Sequence, residues 1–239
     1  MCVGKKKYPA LCLSLLVSAA FTCASSEIKT ESINPGVTSE QLSQQLPVHW
    51  VSVPQIARSL QHTAPIAVGF DIDDTLLYSS PGFYRGQQQF SPGSEKYLTH
   101  PQFWENMNNG WDAFSIPKQS AKQLIALHLQ RGDDIWFITA RSASATETLS
   151  ALLQKTFQIP ANKMHPVVFT GTTAGKQGKI KAIKDRNIAL YYGDADSDIR
   201  AAQAANARGI RVLRPANSTY QPLPHAGDLG EEVLINSDR

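Results

Sequence analysis

Three aspartates follow a short apolar run in the segment AVGFDIDDTLLYSS, residues 67–80. Asp71 and Asp73 are two positions apart, so in an extended segment their side chains point to the same side. One carboxylate can then attack an electrophile while the other gives or takes a proton. Because like charges repel at the edge of a core, the cluster also favours a bound Mg²⁺ ion, which prefers oxygen ligands.

Other polar residues follow later apolar runs of the chain. Thr139, Ala140 and Arg141 come after the run DIWFIT, and the acidic segment GDADSD, residues 193–198, ends another run. An isolated Lys179 begins the helical pattern before that second run. If these runs are neighbouring parallel strands, the acids, the hydroxyl and the cations meet at one edge of the sheet.

The elements that must position these residues alternate regularly between strand and helix. Continuous apolar runs predict strands at 66–70, 134–139, 166–169, 188–193 and 209–213. Amphipathic spacing predicts helices at 52–60, 115–132, 144–157, 179–187 and 197–206. This alternation predicts an α/β fold, a Rossmann-like parallel sheet with helices on both faces.

An insertion at about 76–115 interrupts this alternation directly after the acidic cluster. It contains nine aromatic residues, whereas a plain strand-to-helix connection needs only a few residues of any kind. The aromatics can form a small separate core, or some can line an apolar wall of the site. We expect a cap whose side chains serve both purposes.

The first 24 residues predict a cleaved signal peptide, with a basic start, an apolar run and small residues before a cleavage site at Ala24. An uncleaved anchor and lipidation at Cys23 are alternatives. A polar arm follows at 25–46, and a single domain extends over 47–239. The predicted leader holds three lysines and no acids, so its removal leaves 20 basic and 20 acidic residues instead of the net +3 of the whole chain. No nucleic-acid patch is therefore implied, and all three cysteines lie in the leader.

Two other interpretations of the acidic residues agree less well with the sequence. The segment DADSDI begins like a calcium-binding EF-hand loop, but Ile199 and Ala205 replace the glycine and glutamate that such a loop requires. A receiver domain also carries acids, a threonine and a lysine at strand ends. A secreted chain with a large cap, and with its second acid two residues after the first, favours an enzyme over a receiver.

The motifs DIDDT, TAR, the isolated lysine and GDADSD resemble the four motifs of the haloacid dehalogenase superfamily of phosphotransferases. The longer segments VGFDIDDTLLYSSPGFYRG, FWENMNNGWDAFSIPK, YYGDADSDI and RPANSTYQPLPHAGDLGEEVLINS resemble bacterial class B acid phosphatases. This resemblance covers essentially the whole chain after the leader. It implies a haloacid dehalogenase-like fold and a periplasmic, Mg²⁺-dependent acid phosphatase acting on a broad range of phosphomonoesters.

The resemblance also assigns roles at the centre of the site. Asp71 is the implied nucleophile, and Asp73 is the implied general acid and then base. One Mg²⁺ ion is held by the Asp71 side chain, the Asp73 backbone carbonyl and Asp194. Asp198 orients the metal's waters or Lys179, and Asp74 is expected to brace the loop backbone.

Phosphate binding is implied for the Thr139 hydroxyl, the Ala140 N–H, Lys179 and, less directly, Arg141. Relatives read Thr-Gly-Arg where this chain has Thr-Ala-Arg, which would introduce strain if the site needs a positive φ. An aromatic pocket for the nucleoside or aryl part of the substrate is implied by position, made of Phe83, Tyr97, Trp104 and Tyr220.

The implied partners are small phosphomonoesters, with no nucleic-acid polymer and no stable membrane association after cleavage. The resemblance implies a homotetramer, for which the arm and the tail at 214–239 are natural contact segments. Transfer of phosphate to alcohols or nucleosides is a further expectation. The alternative from another class is a secreted protein that captures nucleotides without turnover, which the intact Asp71 and Asp73 argue against.

Overall fold

The computed structural model describes Met1 and residues 48–171 and 175–239. The predicted signal peptide beyond Met1 and the predicted arm lie outside the described residues. Within this part of the chain the helices are α1 to α7, Val53–Ser59, Ser80–Phe90, Pro101–Asn108, Gln119–Arg131, Leu149–Thr156, Gly175–Asp185 and Asp196–Ala204. The strands are β1 to β9, His49–Val51, Ala67–Phe70, Leu77–Tyr78, Ile116–Pro117, Asp134–Thr139, Val168–Phe169, Ile188–Gly193, Arg208–Val212 and Glu232–Leu234.

Seven of the described strands form one parallel sheet in the order β1-β9-β8-β7-β2-β5-β6. The chain runs outward from β2 through β5 and β6, then returns to β7 on the other side of β2. The change of direction beside β2 is the place where open sheets of this kind bind ligands. The sheet confirms the predicted fold class.

The centre of the sheet is buried, which explains why its strands read as continuous apolar runs. Val68 and Phe70 of β2 are inaccessible to solvent, as are Phe137 of β5 and Tyr192 of β7. The Phe70 and Tyr192 rings stack with centroids 4.8 Å apart. This packing fixes the neighbouring ends of β2 and β7, from which the acidic segments emerge.

The ends of several elements differ from the sequence prediction. The helix expected from 115 begins at Gln119, because Ile116–Pro117 pairs as β4 with β3. The helix expected from 144 begins at Leu149. The short strands β1 and β9, three residues each, were not predicted, since runs this short carry too little periodicity to distinguish them from loops.

The insertion forms α2, α3 and the 3₁₀ helices Glu95–Thr99 and Trp111–Phe114. Its own apolar core contains Tyr97, Phe103, Trp104 and Met107. The Phe103 ring lies where a β-carbon at Gly86 would be, so only glycine allows α2 to approach α3 this closely. We call this module, residues 76–115, the cap. In the described part of the chain, no helix is long and apolar enough to cross a membrane.

Candidate active site

Three neighbouring strands bring the predicted site residues to one edge of the sheet. Asp71 directly follows β2, Thr139 ends β5, and Asp194 directly follows β7. Because β7, β2 and β5 are adjacent and parallel, their carboxyl ends converge. A cavity of about 210 Å³ at this edge is lined by these residues and by cap residues.

Lys179 of α6 joins two buried carboxylates. Its Nζ lies 2.5 Å from Asp71 Oδ1 and 2.5 Å from Asp198 Oδ1. Burial opposes the charged lysine, but Asp198 and Asp71 outweigh it and raise the pKa of Lys179. Burial, followed by repulsion from Asp198 and Asp194, raises the pKa of Asp71 although Lys179 opposes this. The two acids therefore favour the charged form of Lys179, and this one cation faces two carboxylates.

The carboxylates of Asp71, Asp194 and Asp198 form a buried cluster in which one oxygen atom from each residue lies within 4.8 Å of the other two. Asp71 Oδ2 and Asp194 Oδ1 both lie 3.2 Å from Thr75 Oγ1, whose single proton can serve only one of them. A cluster of carboxylate oxygens is the donor set of a hard divalent cation. The cluster therefore fits such a cation, and it contains two of the predicted metal ligands, Asp71 and Asp194.

Asp198 reaches the cluster because Gly193 leaves room for it. A β-carbon at Gly193 would overlap the Asp198 side chain, 2.6 Å from Cγ and 2.7 Å from Oδ2. Asp198 Oδ2 accepts a hydrogen bond from the Ala195 N–H, which closes the first turn of α7. The contact with Lys179 agrees with the expectation that Asp198 orients this lysine.

Thr139 and Ala140 present different groups to the cavity. The buried Thr139 Oγ1 accepts a hydrogen bond from the Arg141 N–H at 3.2 Å, which leaves its own proton for donation. Ala140 is exposed in the cavity and does not adopt a positive φ. The strain considered for alanine in place of glycine therefore does not arise.

Arg141 borders the cavity, and its guanidinium is fully engaged by protein groups. Its Nε and Nη2 donate to Asp73 at 2.8 and 2.6 Å, and its Nη1 and Nη2 donate to Asp112 at 2.5 and 2.9 Å. The remaining Nη1 contact is Asn108 Oδ1 at 3.4 Å. All five guanidinium N–H groups thus face acceptors. Burial raises the pKa of Asp73, but Arg141 outweighs it and the net pKa is lowered.

Contrary to the expected bond to loop backbone, Asp74 is braced through its carboxylate by a side chain. Its carboxylate accepts a hydrogen bond from the Ser218 hydroxyl at 2.5 Å, and its carbonyl accepts one from Lys118 Nζ at 2.7 Å. Its φ is +58°, a value that aspartate tolerates better than most residues. Burial, followed by repulsion from Asp194, raises the pKa of Asp74 to about 7. Asp74 also borders the cavity.

The apolar wall of the cavity is formed by Phe83, Leu98, Trp104 and Tyr220. The structure does not bring Tyr97 to this wall. Tyr97 packs in the cap core against Phe103, with ring centroids 4.9 Å apart, and the next residue, Leu98, borders the cavity instead. Position in the sequence did not distinguish these two neighbours, since the turn of a short 3₁₀ helix decides which one faces inward.

Two charged residues of the site were not predicted. Arg214 Nε lies 2.6 Å from Asp194 Oδ2, and its guanidinium lies over the Tyr220 ring at 4.5 Å. It follows the strand β8 closely, so the rule that polar residues follow strands would have found it. Asp112 lies in the cap, and no spacing in the sequence connects it with Arg141.

Comparison with known proteins places the chain in a family. Residues 18–223 match the family described as HAD superfamily, subfamily IIIB (Acid phosphatase). The chain is 61% identical over 204 residues to a class B acid phosphatase of Rahnella sp. (strain Y9602), covering 85% of this chain and 86% of that protein. A class B acid phosphatase of Citrobacter rodentium (strain ICC168) is 54% identical over 224 residues, covering 94% of each chain.

A solved structure from Clostridium difficile superposes on this chain with a TM-score of 0.50 at 13% identity. It covers 72% of this chain and 94% of that one, and it shows a shared fold alone. The family match, in contrast, includes Asp71, Thr139 and Asp194 together with the whole cap. The chain therefore belongs to the class B acid phosphatases, the acid phosphatases of subfamily IIIB of the haloacid dehalogenase superfamily.

Proposed function

We propose that this class B acid phosphatase hydrolyses a broad range of organic phosphomonoesters in the periplasm, through an aspartyl-phosphate on Asp71 and with Mg²⁺ as its metal. The observation that carries the proposal is the position of Asp71. It is a buried carboxylate at the end of the central strand, in contact with Lys179 and bordering the same cavity as Asp73 and Thr139. A carboxylate in this setting is suited to attack phosphorus.

In the first transfer, an Asp71 oxygen forms a bond to phosphorus while the bond from phosphorus to the leaving oxygen breaks. Asp73 gives its proton to that leaving oxygen. The charge of Lys179 stabilises the negative phosphoryl group, and the Thr139 hydroxyl and the Ala140 N–H supply hydrogen bonds to its oxygens.

In the second transfer, Asp73 accepts a proton from water, and the hydroxide attacks phosphorus to release phosphate and restore Asp71. Arg141 favours the carboxylate form of Asp73, which suits this base role. The first transfer needs the acid form instead. An anionic phosphate beside Asp73 raises its pKa, and a mildly acidic medium supplies the proton.

Asp71, Asp194 and Asp198 are the side chains that would hold the metal or its waters, with the Asp73 carbonyl as a further ligand from the family resemblance. When bound, Mg²⁺ supplies positive charge that neutralises the transferring phosphoryl group. The choice of Mg²⁺ rests on the all-oxygen donor set of the cluster.

The apolar wall supports a broad substrate range. The flat rings of Phe83, Trp104 and Tyr220 can stack on aryl groups or bases, and such stacking does not require a particular pattern of hydrogen-bonding groups on the substrate. Tyr220 is half exposed, so a ligand ring can reach it. An alcohol that enters the cavity in place of water would receive the phosphoryl group from Asp71, which is the proposed transfer activity.

A turnover assay tests the proposal. Purified protein is given p-nitrophenyl phosphate in a mildly acidic buffer, with Mg²⁺ or with a chelator, and an acid-quenched sample is analysed by mass spectrometry for phosphate on the Asp71 peptide. We expect metal-dependent release and a modified Asp71, and Asp71→Asn should abolish both while the fold persists. Binding of nucleotides without release would support the capture alternative instead.

Localisation and assembly are tested separately. We propose that residues 1–24 direct export and are removed, and that the mature chain is a homotetramer. Cell fractionation followed by N-terminal sequencing should find the protein in the periplasm beginning near Ser25. Light scattering of the purified protein should give four times the chain mass, and a monomer or dimer mass would contradict the assembly.

A further inference from the structure

Asp112 of the cap makes a buried contact with the core of the protein. It lies in the 3₁₀ helix Trp111–Phe114, and only 3% of its surface is exposed. Its carboxylate faces Arg141, 2.5 Å from Nη1 and 2.9 Å from Nη2. The pair is bidentate, which is the geometry that fixes the plane of a guanidinium most strongly.

The other side of the same guanidinium faces Asp73. Arg141 Nε lies 2.8 Å from Asp73 Oδ2, and Nη2 lies 2.6 Å from Asp73 Oδ1. The planar guanidinium of Arg141 therefore joins two carboxylates, that of Asp112 in the cap and that of Asp73 in the loop after β2. Because the guanidinium is rigid, the orientation that Asp112 gives it determines where the Asp73 carboxylate lies.

Asp112 is itself held in place. Ser115 Oγ donates a hydrogen bond to Asp112 Oδ1 at 3.0 Å. Asn108, on the preceding cap helix, contacts Arg141 Nη1 and donates to the Ser142 carbonyl at 2.9 Å. The cap and the loop after β5 are thus joined around Arg141 by several contacts, whereas the Asp73 side chain is 24% exposed and has Ser79 as a further hydrogen-bonding neighbour.

We propose that Asp112 is a positioning residue that acts through Arg141 to hold Asp73 in place for proton transfer to the leaving group. This inference rests on the proposed function, in which Asp73 is the general acid. It gives the cap a second task besides forming the apolar wall. Asp112 touches neither the substrate nor the reacting atoms, and in the first transfer its effect appears only where protonation of the leaving oxygen matters.

The test compares two leaving groups. p-Nitrophenolate is weakly basic and departs with little help from an acid, whereas the alkoxide of glycerol 2-phosphate needs a proton as the bond breaks. The ratio of their kcat/KM values reports the first transfer, in which the leaving group departs. For Asp112→Asn, we expect kcat/KM for glycerol 2-phosphate to fall by about tenfold more than that for p-nitrophenyl phosphate, since general acid catalysis as a whole contributes 10²–10⁴-fold.

Asp133→Asn is the matched control. Asp133 is also a buried aspartate bound to an arginine, with Arg131 Nε at 3.0 Å, but it lies before β5 at the opposite end of the sheet. Its replacement should leave the ratio at the wild-type value, whatever it does to stability. An Asp112→Asn variant with an unchanged ratio, or with an equal loss on both substrates, overturns the proposal.

Asp73→Asn separates this inference from the proposed function. It should shift the ratio in the same direction and further than Asp112→Asn, and an unshifted ratio would show that Asp73 is not the acid. If Asp112→Asn does not fold, Ser115→Ala replaces it, because that change removes only the hydroxyl that holds Asp112. A smaller shift in the same direction supports the inference, and an unchanged ratio overturns it.

Discussion

Replacement of Gly193 by alanine adds one methyl group at the point where β7 meets the catalytic acids. The new β-carbon would lie 2.6 Å from Asp198 Cγ and 2.7 Å from Asp198 Oδ2. The substitution introduces no backbone strain, because Gly193 has an ordinary strand conformation and not a positive φ. The variant therefore perturbs Asp198 through space alone.

The size of the effect follows from these distances. The optimal separation of non-bonded carbon atoms is about 3.5–4.0 Å, so the Asp198 side chain must move by roughly 1 Å. That movement would break its 2.5 Å contact with Lys179, which also loses its fixed position relative to Asp71. Overpacking of this kind lowers the free energy of unfolding by about 1–3 kcal/mol. A misplacement of about 1 Å at a reacting centre lowers kcat on the order of 100-fold.

The assay measures kcat with p-nitrophenyl phosphate and unfolding in urea for Gly193→Ala and for a control, Gly209→Ala. Gly209 lies in the adjacent strand β8 and faces the same helix, α7. A methyl group added there would lie 3.2 Å from Ala202 Cβ, and its nearest neighbours are Ala202 and Ile199 rather than Asp198. The control should lose some stability and keep its kcat. Equal losses of kcat in both variants would refute the reasoning, since they would show that displacement of α7 and not of Asp198 is responsible.

Three further predictions follow from the site and the core. Lys179→Met leaves Asp71 and Asp198 buried without their cation, so turnover should be lost and the free energy of unfolding should fall by about 3–5 kcal/mol in urea. Tyr220→Ala should raise KM for p-nitrophenyl phosphate and leave KM for glycerol 2-phosphate nearly unchanged, because only the aryl substrate can use the ring. His128 is buried between Asp133 and Tyr192, and burial lowers its pKa below the usual 6.5 despite the Asp133 contact. As pH falls below 6.5 the unfolded chain gains a proton that folded His128 resists, so stability should decline in urea titrations, and His128→Gln should reduce this decline.

The central elements were predictable because their residues encode them locally. Residues 134–139 and 188–193 have the predicted bounds, since both strands are buried on two faces and consist of continuous apolar runs. The short strands β1 and β9 were not predictable, because three residues hold no clear period and the pairing of β1 with β9 joins positions more than 180 residues apart. The start of α4 shifted for a related reason, since pairing of β3 with β4 takes residues that could otherwise extend this helix.

The sequence by itself determined the alternating α/β fold, the acids after β2 and β7, and the lysine of α6, because strand order and parallel direction bring these local motifs to one edge. Only the tertiary structure decided which charged residues pair with one another and which apolar residues face the cavity. It directs Arg141 to Asp73 and Asp112, places Arg214 on Asp194, and turns Leu98 and not Tyr97 toward the cavity. These contacts depend on packing between residues far apart in the chain, within the sheet for Arg214 and between the cap and the sheet for Arg141 and Leu98.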